Sequence, residues 1–273
     1  MKKRIGQIEE KLSKRVKQVN SLVCVGLDSD IKKLPQQFLN QAKPQFEFNK
    51  WIIEQTYQNV CAYKPNFAFY EARGALGWAE LALTVDYLRA NYPEIVLIAD
   101  AKRADIDSTN EGYVTAIFDE LGFDAVTLNS YLGQEALQPF LKRSDKACII
   151  LCRTSNKGAG ELQDLMSEGK PVWQHVAEQV SNNWNLNNNC MLVVGATYPE
   201  ELARVRKIVG KMTILVPGVG AQGGDFKQVL GAGLNKDKRG LIINSSRGII
   251  FSKNPRKEAK VLKKSINNFI NYL

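Results

Sequence analysis

Eight short apolar runs, each followed by a stretch with helical spacing, constrain this chain more than any single motif. The runs cover about 22–28, 61–66, 96–99, 125–128, 147–152, 191–195, 213–217 and 240–244. They read as continuous hydrophobic strands, the pattern of strands buried on both faces, with no alternation that would leave one face in water. Between them the apolar spacing turns helical, over about 46–60, 76–91, 107–121, 133–142 and 171–185. Thr197 and Pro199 open a further helix as a cap-like threonine and an early proline. The last helix spans about 255–271. Alternating βα units imply a parallel sheet. Eight of them in about 250 residues fit a closed (β/α)8 TIM barrel. Residues 4–19, with Ile5, Ile8, Leu12, Val16 and Val19 at helical spacing, add an extra N-terminal helix. No linker-like break divides residues 1–273, so a single α/β barrel domain is expected. An open doubly wound sheet is the alternative, since alternation alone does not show closure. No internal sequence repeat is apparent.

The third run carries the chemistry. Val96 to Ala99 ends in Asp100-Ala101-Lys102-Arg103-Ala104-Asp105. On an extended backbone residues i and i+2 face one side, which predicts that Asp100 and Lys102 point together at the strand's C-terminal end. Asp105 falls in the loop beyond. Unpaired charges at a buried strand end are costly, so the array needs a reason. A surface ion pair is the plain one.

The other strand ends favour a different one. Active sites of such barrels sit at the C-terminal ends of the strands. Asp28, Lys64, Asp100, Lys102, Ser155 with Asn156, Gln222, Ser246 and Arg247 all fall there. After the seventh strand comes Pro217-Gly218-Val219-Gly220-Ala221-Gln222-Gly223-Gly224-Asp225, and after the eighth Ser246-Arg247-Gly248. Glycines let backbone amides close around an anion, and Arg247 offers a forked donor, so these two loops predict a phosphate site. Two ordinary tight turns are the simpler alternative. The glycine spacing is not that of a dinucleotide fold. The long polar stretch 153–170 reads as a functional loop over the mouth.

Composition narrows the partners. The chain has 37 basic and 28 acidic residues, a formal charge of +9, which favours anionic ligands. The basic residues are dispersed, apart from Lys2-Lys3-Arg4 and the stretch 256–264, which read as solvated helix faces, so no nucleic-acid partner is expected. Five cysteines, Cys24, Cys61, Cys148, Cys152 and Cys190, sit inside apolar runs and read as core thiols of a reducing compartment. The one histidine, His175, lies on a helical stretch, which disfavours a histidine-rich metal site or a Ser-His-Asp triad. Neither a signal-like apolar segment nor a run of roughly 20 apolar residues occurs, so a cytoplasmic protein without a membrane partner is expected.

Taken together, the Asp-x-Lys-x-x-Asp element, the Gly-Ala-Gln-Gly-Gly loop and Ser246-Arg247-Gly248 resemble the orotidine 5′-phosphate decarboxylase family, in its longer bacterial-type branch. The resemblance runs from Gly26-Leu27-Asp28 to the final strand. It implies decarboxylation of orotidine 5′-monophosphate to UMP with no cofactor and no metal. It implies a homodimer with shared active sites, in which Lys64, Asp100, Lys102 and Asp105 form a charge network and Asp105 enters from the neighbouring subunit. Lys102 would stabilise the carbanion at C6 and deliver its proton. Asp28 and Lys64 would hold the ribose hydroxyls, Thr109 would reach the ribose from the partner, and Ser155 would meet the pyrimidine edge. Gln222 and Arg247, with Gly220, Ala221, Gly223, Gly224 and Ser246 around them, would hold the phosphate. Association with a separate phosphoribosyltransferase is left open. Two other readings compete: a magnesium-dependent sugar-phosphate decarboxylase of the same barrel, which needs further carboxylate ligands, and a basic nucleic-acid-binding protein, which lacks a recognisable platform.

Overall fold

A computed structural model describes residues 6–219 and 226–273. Its strands are β1 (Val23–Val25), β2 (Ala62–Tyr63), β3 (Val96–Arg103), β4 (Ala125–Leu128), β5 (Ala147–Arg153), β6 (Met166–Ser167), β7 (Lys170–Pro171), β8 (Cys190–Val194), β9 (Ile214–Pro217) and β10 (Leu241–Ser245). All except β6 and β7 pair in parallel, and the sheet closes where β1 meets β10, with Val23 opposite Ile243. The expected eight-stranded (β/α)8 barrel is therefore the observed fold, and the open sheet is excluded. The apolar runs are buried because each strand has the barrel interior on one face and a helix on the other.

Helices return the chain between the strands: Pro44–Thr56, Gly74–Asn91, Asp107–Val114, Gly133–Leu141, Val172–Gln179, Pro199–Val209 and Phe226–Gly233; Pro255–Tyr272 follows the last strand. Prolines 44, 199 and 255 stand in the first turn, where a missing N–H costs nothing. Two expected helices change pitch near their ends. The stretches Thr115–Glu120 and Val180–Trp184 are π-helical, each holding an extra residue within a continuous rod. Thr197 does not cap its helix: Tyr198 occupies that position without a side-chain bond, and Pro199 follows at once.

The N-terminal helix, Gln7–Val19, closes the bottom of the barrel. Ile8, Leu12 and Val16 are buried there. Lys11 Nζ lies 2.9 Å from Asp124, just before β4, and Thr213 Oγ1 donates to Glu9 at 2.6 Å just before β9. The Arg15 guanidinium donates to the carbonyl oxygen of Val60 ahead of β2. With that end sealed, the opposite rim is left for chemistry.

Candidate active site

The site is built from the ends of β2, β3 and β4. β2 runs on into Lys64, whose amide donates to Val25 and whose carbonyl accepts from Leu27. Proline then ends the strand, and its carbonyl accepts from the Asp100 amide at 3.1 Å while the Asp100 carbonyl accepts from Phe67. Asp100 is thus held on both sides of its backbone. Its carboxylate receives Lys64 Nζ on Oδ2 at 2.5 Å and Lys102 Nζ on Oδ1 at 2.6 Å. The side chains of Lys64 and Asp100 are 5% and 11% exposed, while that of Lys102 is 48% exposed. The array is a buried lysine, a buried carboxylate and a lysine that opens to the cleft.

Burial alone would push the Asp100 carboxyl up, but Lys64 and Lys102 overcome it and hold it well below the usual carboxylate range. Burial would likewise lower Lys64; Asp100 and, more weakly, Asp28 hold it above the ordinary lysine value. The pair therefore stays charged across the neutral range.

β3 is not the regular strand that the i, i+2 pattern predicts. Its register against β4 shifts between Ala99 and Arg103, and Lys102 takes a left-handed backbone, φ 49°. That conformation costs about 1–2 kcal/mol for a residue with a side chain. The expected meeting of Asp100 and Lys102 occurs, but through a bulge. Arg103 braces the turn from outside: it pairs with Glu71 and lies over the rings of Phe67 and Tyr113.

These charges open into a cleft of about 790 Å³, within the usual range for small-molecule sites. Lys64, Asp100, Lys102, Thr127 and Asn129, from the ends of β2 to β4, line it. The segment after β5 adds Thr154, Ser155 and Asn156 with Leu162 and Gln163, and the helix beyond adds Val176. The long stretch after β5 has structure of its own: a short helix Gly160–Gln163 and the antiparallel pair β6–β7. Gln163 fastens it to the barrel, accepting from the Thr154 amide at 2.9 Å and donating to Thr154 Oγ1 at 2.9 Å. Arg153 reaches Asp164 at 2.9 Å and stacks on Tyr198, 3.8 Å from the ring centre. Gly195 explains how Ser155 comes so close. A Cβ there would stand 2.7 Å from the Ser155 Cβ and 2.9 Å from its backbone nitrogen. Cys152 also lines the cleft, but burial pushes its thiol up to about 12, which leaves it an inert packing group.

The family described as orotidine 5′-phosphate decarboxylase / HUMPS matches residues 21–262. This chain belongs to that family. It is 48% identical over 247 residues to the orotidine 5′-phosphate decarboxylase of Cellvibrio japonicus (strain Ueda107), covering 90% of both chains. The structure of Leishmania donovani OMP decarboxylase superposes with a TM-score of 0.87 at 41% identity, covering 98% of this chain and 99% of that one. Leishmania donovani UMP synthase superposes with a TM-score of 0.88 at 43% identity; 98% of this chain is covered, and this chain spans 57% of that one.

Within this orotidine 5′-phosphate decarboxylase family barrel, the expected site residues fall into four groups. Lys64, Asp100, Lys102 and Ser155 share the cleft. Asp28 and Ser246 meet at the neighbouring rim, both against Gly26: a Cβ on Gly26 would come within 1.8 Å of Ser246 Oγ and 3.3 Å of Asp28 Oδ1. Asp28 Oδ1 is buried with no hydrogen-bond partner among the described residues. Arg247 follows as an exposed residue opening the short helix Arg247–Ile250. Asp105 and Thr109 do not line this chain's cleft. Asp105 sits in the segment after β3, bracketed by Asn110, which accepts from its amide at 2.9 Å and donates to its carbonyl at 2.5 Å. Thr109 is exposed on Asp107–Val114. Gly220, Ala221, Gln222, Gly223 and Gly224 lie outside the described residues.

Sequence reasoning missed Thr127, Asn129 and Gln163. Thr127 left one signal, a lone polar residue in the run Ala125-Val126-Thr127-Leu128. Gln163 left none, because its role depends on a fold of the loop that no local pattern announces.

Proposed function

We propose that this chain decarboxylates orotidine 5′-monophosphate to UMP, with Lys102 as the acid and no cofactor. The observation that supports this most directly is the Lys64–Asp100–Lys102 array, in which two cations flank one ionised carboxylate and one of them faces the cleft. Losing CO2 from C6 of the pyrimidine leaves an electron pair that the ring does not delocalise well. A fixed ammonium beside C6 stabilises that charge as it forms, and donating its proton to C6 completes UMP. Asp100 lies next to the substrate carboxylate and keeps Lys102 aimed at the reacting carbon. Asp28 and Lys64 hold the ribose hydroxyls, and Ser155 meets the pyrimidine edge. Gln222 and Arg247, with Gly220, Ala221, Gly223, Gly224 and Ser246, take the phosphate, whose binding energy orients a ring remote from it.

The same reading makes the enzyme a cytoplasmic homodimer of single-barrel subunits, with no nucleic-acid or membrane partner. Asp105 and Thr109 then serve the neighbouring subunit's site, which fits their position outside their own cleft. Among the described residues no helix is long and apolar enough to cross a membrane. Association with a separate phosphoribosyltransferase, the class of enzyme that makes a nucleotide of this kind, belongs to the same reading. Copurification checks it.

A magnesium-dependent sugar-phosphate decarboxylase is the competing assignment within the family. Incubating purified protein with orotidine 5′-monophosphate in excess chelator separates the two. Steady loss of orotidylate absorbance with appearance of UMP is expected. Activity that vanishes in chelator and returns with magnesium would overturn the mechanism.

A further inference from the structure

The bulge that presents Lys102 has a single residue opposite it. Between Ala99 and Arg103 of β3 lie Asp100, Ala101 and Lys102; between their register partners Val126 and Leu128 on β4 lies Thr127 alone. Two surplus residues on one strand leave ladder groups unmatched and twist the backbone. Lys102 absorbs that twist with its left-handed φ of 49°. Such a conformation persists only where its surroundings hold it.

The Thr127 hydroxyl is placed to do so. The Lys102 amide donates to Thr127 Oγ1 at 3.0 Å, and Thr127 Oγ1 lies 3.1 Å from Asp100 Oδ1. Asp100 Oδ1 is the same oxygen that receives Lys102 Nζ. A hydroxyl has one proton to give and lone pairs to receive with. With the amide as donor to it, its proton goes to the carboxylate; the remaining neighbour, the Ala99 carbonyl, is at 3.5 Å and competes weakly. Thr127 is 1% exposed, so water does not take over either bond without a rearrangement.

We propose that Thr127 is a positioning residue for the reaction. Its hydroxyl ties the backbone of the proton donor to the carboxylate beside it and fixes the bulge that aims Lys102 into the cleft. The inference rests on the decarboxylase reading above. Thr127 itself takes no part in bond making; of its two neighbours, Lys102 gives up the proton and Asp100 keeps it aimed.

The test compares Thr127→Val, which keeps the shape and removes the hydroxyl, with Thr127→Ser, which keeps the hydroxyl and removes a methyl. Turnover of orotidine 5′-monophosphate, UMP affinity and melting temperature are measured for each. Misplacing a catalytic group by a fraction of an ångström to an ångström costs about 10- to 100-fold, so that loss in kcat is expected for Thr127→Val, with KM and UMP affinity within about threefold of wild type. Thr127→Ser should recover kcat to within about threefold although it leaves a small void in the barrel. A packing role predicts the opposite order, with the serine variant the weaker of the two in both stability and rate. A valine variant within twofold of wild-type kcat, or a serine variant as slow as the valine one, overturns the proposal. If Thr127→Val does not fold, Thr127→Ala takes its place against the same serine variant. If wild type itself does not turn over orotidine 5′-monophosphate, the decarboxylase reading is what fails. The positioning claim is then judged on a crystal structure of Thr127→Val, and it falls if Lys102 keeps its left-handed φ and its contact with Asp100.

Discussion

Asp100→Asn should convert Lys64 from a stabilising residue into a titrating liability. In the native protein Lys64 is buried, and Asp100 lies 2.5 Å from its ammonium. Removing one partner of such a pair leaves an uncompensated charge and typically costs about 3–5 kcal/mol. Shedding the proton sets a ceiling. An unfolded lysine titrates near about 10.4, so holding it neutral at pH 7 costs about 1.36 kcal/mol for each of roughly 3.4 units, or about 4.6 kcal/mol. Asp28, which also favours the charged form of Lys64, works against that proton loss and places the expected value toward the lower end, about 3 kcal/mol. The pH dependence is the sharper signature. In wild type the folded pKa of Lys64 lies above the unfolded one. Its contribution is then complete below the unfolded value and is lost only as pH rises through the folded one. Asp100, held low, gives up its contribution only as pH falls below its unfolded value of about 3.9. Neither adds a slope near neutrality. In the variant the folded lysine value drops below the unfolded one, the unfolded chain binds more protons, and stability rises with pH by up to about 1.4 kcal/mol per unit. Urea unfolding of both proteins at pH 6.5, 7.5 and 8.5 measures this. A variant that loses less than about 1 kcal/mol and shows wild-type pH dependence would refute the view that Asp100 is what keeps Lys64 charged in the barrel.

Three further outcomes are expected. Lys102→Ala should lose at least about 100-fold in kcat while binding UMP nearly as well, because its proposed work is confined to the transition state; a loss under tenfold, read by single-turnover kinetics, removes it from the role of acid. Arg247→Ala should weaken nucleotides and leave nucleosides almost untouched, by about 1.5–3 kcal/mol for a charged hydrogen bond, and calorimetry with UMP and uridine compares them. Equal losses for both ligands would place Arg247 elsewhere. Inactive Lys102→Ala and Asp105→Ala proteins, once mixed and allowed to exchange subunits, should recover roughly a quarter of wild-type activity, since half of the dimers are mixed and each mixed dimer has one intact site. A mixture that exchanges and stays inactive would return Asp105 to its own subunit.

The fold was legible because its signal is local and repeated. β8 is apolar throughout and β5 is apolar up to its last residue, Arg153, since both faces are buried, and that pattern needs no knowledge of the partner strand. The rim was legible for a related reason: in a parallel barrel every strand ends at the same side, so Lys64, Asp100 and Lys102 share an end by topology alone. The family motifs pointed to the same chemistry.

What tertiary structure decided are the features that depend on residues far apart in the chain. Closure required Val23 to find Ile243, which no local pattern encodes. The sequence around Lys102 reads as plain alternation, yet the backbone leaves it there, because two surplus residues face one threonine on the next strand. The stretch after β5 is polar and reads as a functional loop over the mouth, but nothing local shows how it is fastened: Gln163 folds back onto Thr154 and Arg153 stacks on Tyr198, so it has its own ordered shape. The sequence puts Asp105 in the loop beyond β3 and off the face of Asp100 and Lys102; what holds it there is the fold of the turn, with Asn110 bonded to both its amide and its carbonyl. Periodicity and strand ends follow from near neighbours, which the sequence lists in order. Bulges, fastened loops and the direction of a side chain after a turn follow from distant neighbours, and only the closed barrel brings those into contact.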